Sequence, residues 1–163
     1  MRIPYRPLAI GLVTLAFSAL VLARALAGDR HYFAPVANPV VNEECGSCHL
    51  AFAPSMLPAR SWQRMMGELD KHFGDNASLD PAAAEKITNY LVANAGDAGG
   101  QRYSSKLLKG VATGAAPQRI TELPKWVSEH RKVPDWEWRH KEVRTKANCV
   151  ACHTAAEQGY YEE

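Results

Sequence analysis

The sequence predicts a mainly helical, exported protein whose mature part forms two small domains. Three observations carry this. Apolar residues in 61–74 and 80–96 recur at three- and four-residue spacing between good helix caps. The Gly-rich stretch Gly96-Asp-Ala-Gly-Gly100 lacks apolar periodicity and reads as a boundary. Lastly, the pattern Cys-x-x-Cys-His occurs once on each side of it, at Cys45–His49 and Cys149–His153, using all four cysteines of the 163-residue chain.

At the N-terminus, Arg2 and Arg6 precede an uncharged run from Leu8 to Leu22, and Ala25-Leu26-Ala27 supplies small residues at the two positions a signal peptidase reads. Residues 1–27 are therefore expected to be a cleaved secretory signal. The alternative is an uncleaved membrane anchor, although the run is shorter than the roughly 20 apolar residues of a spanning helix. Either way the remainder lies outside the cytoplasm, and the compartment expected is the bacterial periplasm. The domains expected are then 28–97 and 98–163.

Cleavage removes three arginines and no acid, leaving 16 basic and 17 acidic side chains. No run of positive charge suggests a nucleic-acid partner. The charge is uneven, however: residues 28–100 carry net −4 and residues 101–148 net +6. A solvated surface accounts for this, and so does a basic patch that steers an acidic partner.

The segment from Ser61 to Gly74 reads as one helix, with Ser61 as N-cap and Gly74 in the left-handed position past its end. Trp62, Met65, Met66, Leu69, His72 and Phe73 share its apolar face, which makes His72 a candidate ligand and the methionines packing residues. Asp80 and Pro81 open a second helix with Ile87, Tyr90 and Leu91 as its stripe. The second half is less regular. Residues 120–134 suggest a short helix with Trp126, Val127 and His130 on one side. Pro134 resets the chain, and Trp136 and His140 could share the next face.

The two cysteine motifs have several possible uses. A redox dithiol would follow a strand in a βαβ pattern, and neither motif does. A zinc site gives no reason for a histidine directly after the second cysteine, twice. A disulfide within Cys-x-x-Cys closes too small a loop to constrain the unfolded chain much. Covalent haem accounts for every residue: Cys45 with Cys48, and Cys149 with Cys152, form thioethers, while His49 and His153 ligate the irons. The sixth ligands come from His31, His72, His130, His140 or a methionine. The nine residue steps from His140 to Cys149 span about 30 Å when extended, so spacing leaves His130 and His140 open.

Taken in order, ECGSCHLAF, LPARSW, HFGDNASL, RITELPKW, EHRKVP and ANCVACHTAAEQG resemble the exported dihaem cytochromes c. The resemblance implies two haem c groups, each with two histidine ligands: His49 and His72 at the first iron, His153 and His130 at the second. His140 then becomes the alternative. It also implies an N-terminal domain akin to class I cytochromes c, with His in place of their usual Met, and a less regular C-terminal domain. His72 follows its motif by 23 residues while His130 precedes its own by 23, an order that argues against simple tandem duplication.

The function expected is electron transfer without catalysis, at lower potentials than a His/Met cytochrome c. The partners expected are other redox proteins, including a membrane b-type cytochrome and a small soluble haem protein. The alternative is a haem enzyme or gas sensor with one open or labile axial position.

Overall fold

Asn38 begins the first described helix, α1 (Pro39–Gly46), by accepting the Val40 and Val41 amides at 3.0 and 3.4 Å. Pro39 occupies the first turn, where a missing N–H costs nothing. The structure is a computed structural model that describes residues 31–100 and 102–162, so the expected signal at 1–27 lies outside it. Sequence periodicity did not reveal α1, which is short and buries only Val41. Its last turn carries Cys45 and Gly46, and Ser47, Cys48 and His49 follow as turn and bend.

Helix α2 spans Ala59–Gly67, which corrects the single helix expected between Ser61 and Gly74. Ser61 is not its cap: the side chain is fully buried in the first turn. The Ala59 amide is satisfied instead by Asp97 at 2.7 Å, and Arg60 pairs with that carboxylate at 3.3 Å. At the other end Gly67, a poor helix former, precedes Glu68 at φ −128°, and the chain tightens into a 3₁₀ turn over Leu69–Lys71. His72 therefore leaves from a turn. Phe73 and Gly74 both take positive φ, so Gly74 does supply the left-handed position, after a turn and not a helix end.

Helix α3 (Pro81–Ala93) matches expectation. Asp80 accepts the Ala82 and Ala83 amides at 3.0 and 3.1 Å, and Ile87 and Leu91 are buried against α2. Replacing Asp80 with alanine is expected to cost about 1 kcal/mol, read as a lower denaturation midpoint at unchanged slope.

Gly96 donates to the Leu57 carbonyl at 2.9 Å, and a Cβ there would sit 2.4 Å from the Ser55 carbonyl oxygen. The stretch expected as a boundary thus begins with a close backbone approach. Beyond it come α4 (Arg102–Leu107), a 3₁₀ turn at Ile120–Glu122, α5 (Pro124–Glu129) and α6 (Asp135–Trp138). The helix expected over 120–134 is thereby split, because Pro124 starts a new first turn. Val127 is 51% exposed and does not share a buried side with Trp126.

One hydrophobic cluster runs across the Gly-rich stretch, from Phe33, Val41, Leu57, Ile87 and Leu91 to Tyr103, Leu107 and Leu123. The tail closes on the start: Phe33 donates to the Gly159 carbonyl and Tyr161 to the His31 carbonyl, both at 2.9 Å. Among the described residues there is no β-strand, only isolated bridges such as Tyr32 with Tyr160. The fold is mainly α, as the sequence predicts.

Candidate functional site: two facing histidine pairs

The first motif is carried by the end of α1. Cys45 is partly buried against the core, and that burial, with Glu44 beside it, pushes its thiol above the ordinary range. Cys48 is exposed. His49 places Nδ1 2.8 Å from the Leu50 carbonyl. A carbonyl can only accept, so Nδ1 carries the proton and Nε2 keeps its lone pair for a metal.

Facing His49 is His72, with ring centres 6.1 Å apart and ring planes at 17°. Burial, followed by the neighbouring His49, holds the His72 pKa below the ordinary histidine value, which favours the neutral ring that binds metal. The turn bearing His72 is strapped by a distant segment. The Arg119 guanidinium lies 4.0 Å over the Phe73 ring, Gln118 donates to Glu68 at 3.1 Å, and Arg60 donates to the Ala115 carbonyl.

The second motif lies on a 3₁₀ turn, Cys149–Ala151, in which the His153 amide returns to the Cys149 carbonyl at 2.8 Å. Burial pushes the Cys149 thiol up to about 11. His153 faces His130 with ring centres again 6.1 Å apart, but with planes at 79°. His130 caps the end of α5 and sets its Nδ1 2.9 Å from the Trp126 carbonyl, so its Nε2 is also left to accept. The Trp126 ring lies flat against it, at 4.0 Å and 14°.

The structure therefore brings His72 to His49 and His130 to His153. His140 lies elsewhere, exposed beyond α6, with Nδ1 taking the Glu142 amide at 3.4 Å. His31 stacks on Tyr103 at 4.3 Å. No disulfide joins the cysteines. Among the described residues no three His, Cys, Asp or Glu side chains converge on a point that could hold a metal ion. The spacing of each histidine pair would suit one iron between its rings. With imidazole–metal bonds of about 2 Å, two axial rings have centres about 6 Å apart, the spacing seen in both pairs.

The motifs are also close to each other. The lining of one cavity includes Gly46, Ser47, Cys48 and His49 of the first motif, Val150 of the second, and Glu157. Sequence reasoning missed the carbonyl partners of His49 and His130 and the Arg119 strap. Only Trp126 left a signal, four residues before His130, one helical turn away.

The sequence pattern of the dihaem cytochrome c family matches residues 41–161. No curated protein sequence matches the chain. Among solved structures it is similar to the diheme cytochrome c from Rhodobacter sphaeroides, at 41% identity and a TM-score of 0.71 over 78% of this chain and 98% of that one. A structure of DHC purified from the same organism matches at 39% identity and TM-score 0.64, over 77% of this chain and 98% of that one. The diheme cytochrome type c from Shewanella baltica OS155 matches at 33% identity and TM-score 0.63, over 77% and 87%. At these identities, and with the family pattern running through both cysteine motifs, the chain belongs to the dihaem cytochrome c family and carries two covalently bound haem c groups with their irons.

Proposed function

We propose that the protein is an exported electron carrier whose two haems are each held by two histidines and shuttle electrons between redox partners. The observation that carries this reading is the pair of 6.1 Å histidine spacings, one at each motif. Cys45 and Cys48 attach the first haem, and Cys149 and Cys152 the second. His49 with His72 would hold the first iron, and His153 with His130 the second. When bound, the irons supply one-electron chemistry. With two histidines at each iron, the chain would leave no position for an exogenous ligand. Hydrogen bonds from Nδ1 of His49 and His130 to carbonyls make those rings better donors, which favours the oxidised state. Histidine in place of methionine acts in the same direction. The periplasmic location rests on the layout of residues 1–27.

The test is an absorption spectrum of the reduced, exported protein before and after carbon monoxide, with haem counted on the same sample. Two haems per chain and an unchanged spectrum are expected. A carbon monoxide complex at either haem would move the enzyme or sensor reading to the front.

The partners proposed are other redox proteins, a membrane b-type cytochrome as donor and a small soluble haem protein as acceptor. The net +6 of residues 101–148 favours an acidic contact surface on one of them. Arg131, Lys132, Arg139 and Lys141 are exposed close in sequence to His130. Reversing Lys132 and Lys141 to glutamate is expected to slow association with an acidic c-type cytochrome about tenfold at low salt and to flatten its salt dependence. Unchanged rates in stopped-flow mixing would reduce the patch to solvated surface.

A further inference from the structure

The two histidine pairs share a spacing but not an orientation. The His49 and His72 planes lie 17° apart, whereas those of His130 and His153 stand at 79°. An axial imidazole donates π density into the iron orbital that projects perpendicular to its ring plane. Parallel rings raise the same orbital and split it from its partner. Perpendicular rings raise both and leave them close in energy. In the oxidised low-spin state a split pair gives three resolved paramagnetic resonances, and a near-degenerate pair gives one resonance at large g. The same splitting makes electron loss easier, so parallel rings lower the potential relative to perpendicular ones.

The neighbours of His130 explain why its pair is turned. Its ring lies flat on Trp126, at 4.0 Å and 14°, while its Nδ1 is tied to the carbonyl of that same residue. Trp138 closes a second side, 6.1 Å from the His130 ring and 5.8 Å from Trp126. The hydrogen bond holds one edge of the imidazole, and the indole face blocks the tilt that would bring its plane toward that of His153. Among the described residues, and apart from His49 itself, His72 has no flat partner of this kind. Its aromatic neighbour Phe73 is tilted by 56° at 4.8 Å and is 44% exposed.

We propose that Trp126 is a positioning residue that acts through His130 to hold the second haem's imidazoles perpendicular, making the two haems electronically distinct. This rests on the two-histidine reading above. Its consequence is a device for separating the potentials of two haems that have the same ligand set.

Electron paramagnetic resonance of the oxidised, fully loaded protein tests it. The wild type is expected to show one three-line signal and one single large-g signal in equal amounts. In Trp126→Ala the large-g signal moves toward a three-line form and that haem's potential falls, while the other signal stays in place. Trp126→Phe retains a flat face and keeps the large-g signal. If the alanine variant does not accumulate, Trp126→Leu, which keeps bulk without a flat face, carries the same expectation. Two three-line signals in the wild type, or an unchanged large-g signal in Trp126→Ala and Trp126→Leu, would overturn the proposal with both histidine pairs intact. A high-spin signal at the second haem is a different failure, since it would remove His130 as ligand and the proposal with it.

Discussion

Replacing His72 with alanine is expected to turn one of the two haems into a carbon monoxide-binding centre while the other stays six-coordinate. The expectation follows from geometry. His72 is the ring that faces His49 at 6.1 Å, and it is carried by a turn that Arg119, over Phe73, and Gln118, on Glu68 50 residues away, hold in place. On the two-histidine proposal, removing the imidazole leaves that strap and α2 untouched, so the first haem would lose a ligand and not its pocket. About half of the total haem should then bind carbon monoxide, and added imidazole should restore the low-spin spectrum. His130→Ala is expected to do the same at the second haem. His140→Ala is the control and should change nothing, because that side chain lies exposed beyond α6. A His72→Ala protein that bound no carbon monoxide would mean another side chain ligates the first iron, and the pairing would have to be redrawn.

The second large effect is structural. Gly159→Ala is expected to destabilise the fold by about 2–3 kcal/mol or more. The residue has φ +87°, and a Cβ there would lie 2.2 Å from the Phe33 carbonyl oxygen, with Pro35 and Tyr32 each at 3.0 Å. Phe33 also donates to the Gly159 carbonyl, so the methyl cannot be relieved without parting the tail from residues 31–33. That seam matters for the second site, since Tyr161 lies 5.7 Å from the His153 ring and packs on Phe33. The thermal midpoint is expected to fall by roughly 10 °C. Gly114 has a similar φ of +82° but open space around it, so Gly114→Ala separates conformational strain from the clash and is expected to cost only about 1 kcal/mol. Equal losses for the two variants would show that contact with Phe33 contributes nothing.

Elements set by local physics are legible in the chain. Asp80, Pro81, Ile87 and Leu91 define α3 because a cap and a 3.6-residue stripe both act within a few turns. The α2 segment departs from the local pattern at both ends for a non-local reason. Its first amide is satisfied by a carboxylate 38 residues away, at Asp97, so Ser61 was not needed as a cap. Its far end stops at Gly67, although the apolar spacing continues past it, and the residues that hold the following turn come from 118 and 119. The helix expected over 120–134 failed at Pro124, which begins a first turn more readily than it continues an existing one.

The site divides along the same line. The two Cys-x-x-Cys-His motifs were legible from spacing alone, because thioether attachment and the adjacent axial histidine are properties of five consecutive residues. So were the helical class and the imbalance of charge. The apolar face of 61–74 also pointed to His72, but which histidine faces the second motif was not legible, since a tether of nine residues reaches about 30 Å and so permits either His130 or His140. Only packing resolves that choice: α5 ends where the His130 ring meets His153, while His140 is left at the surface. The angle between the rings is more distant still from the sequence. It depends on an indole face, a backbone carbonyl and a second tryptophan meeting around one imidazole, an arrangement that exists only once the chain has folded.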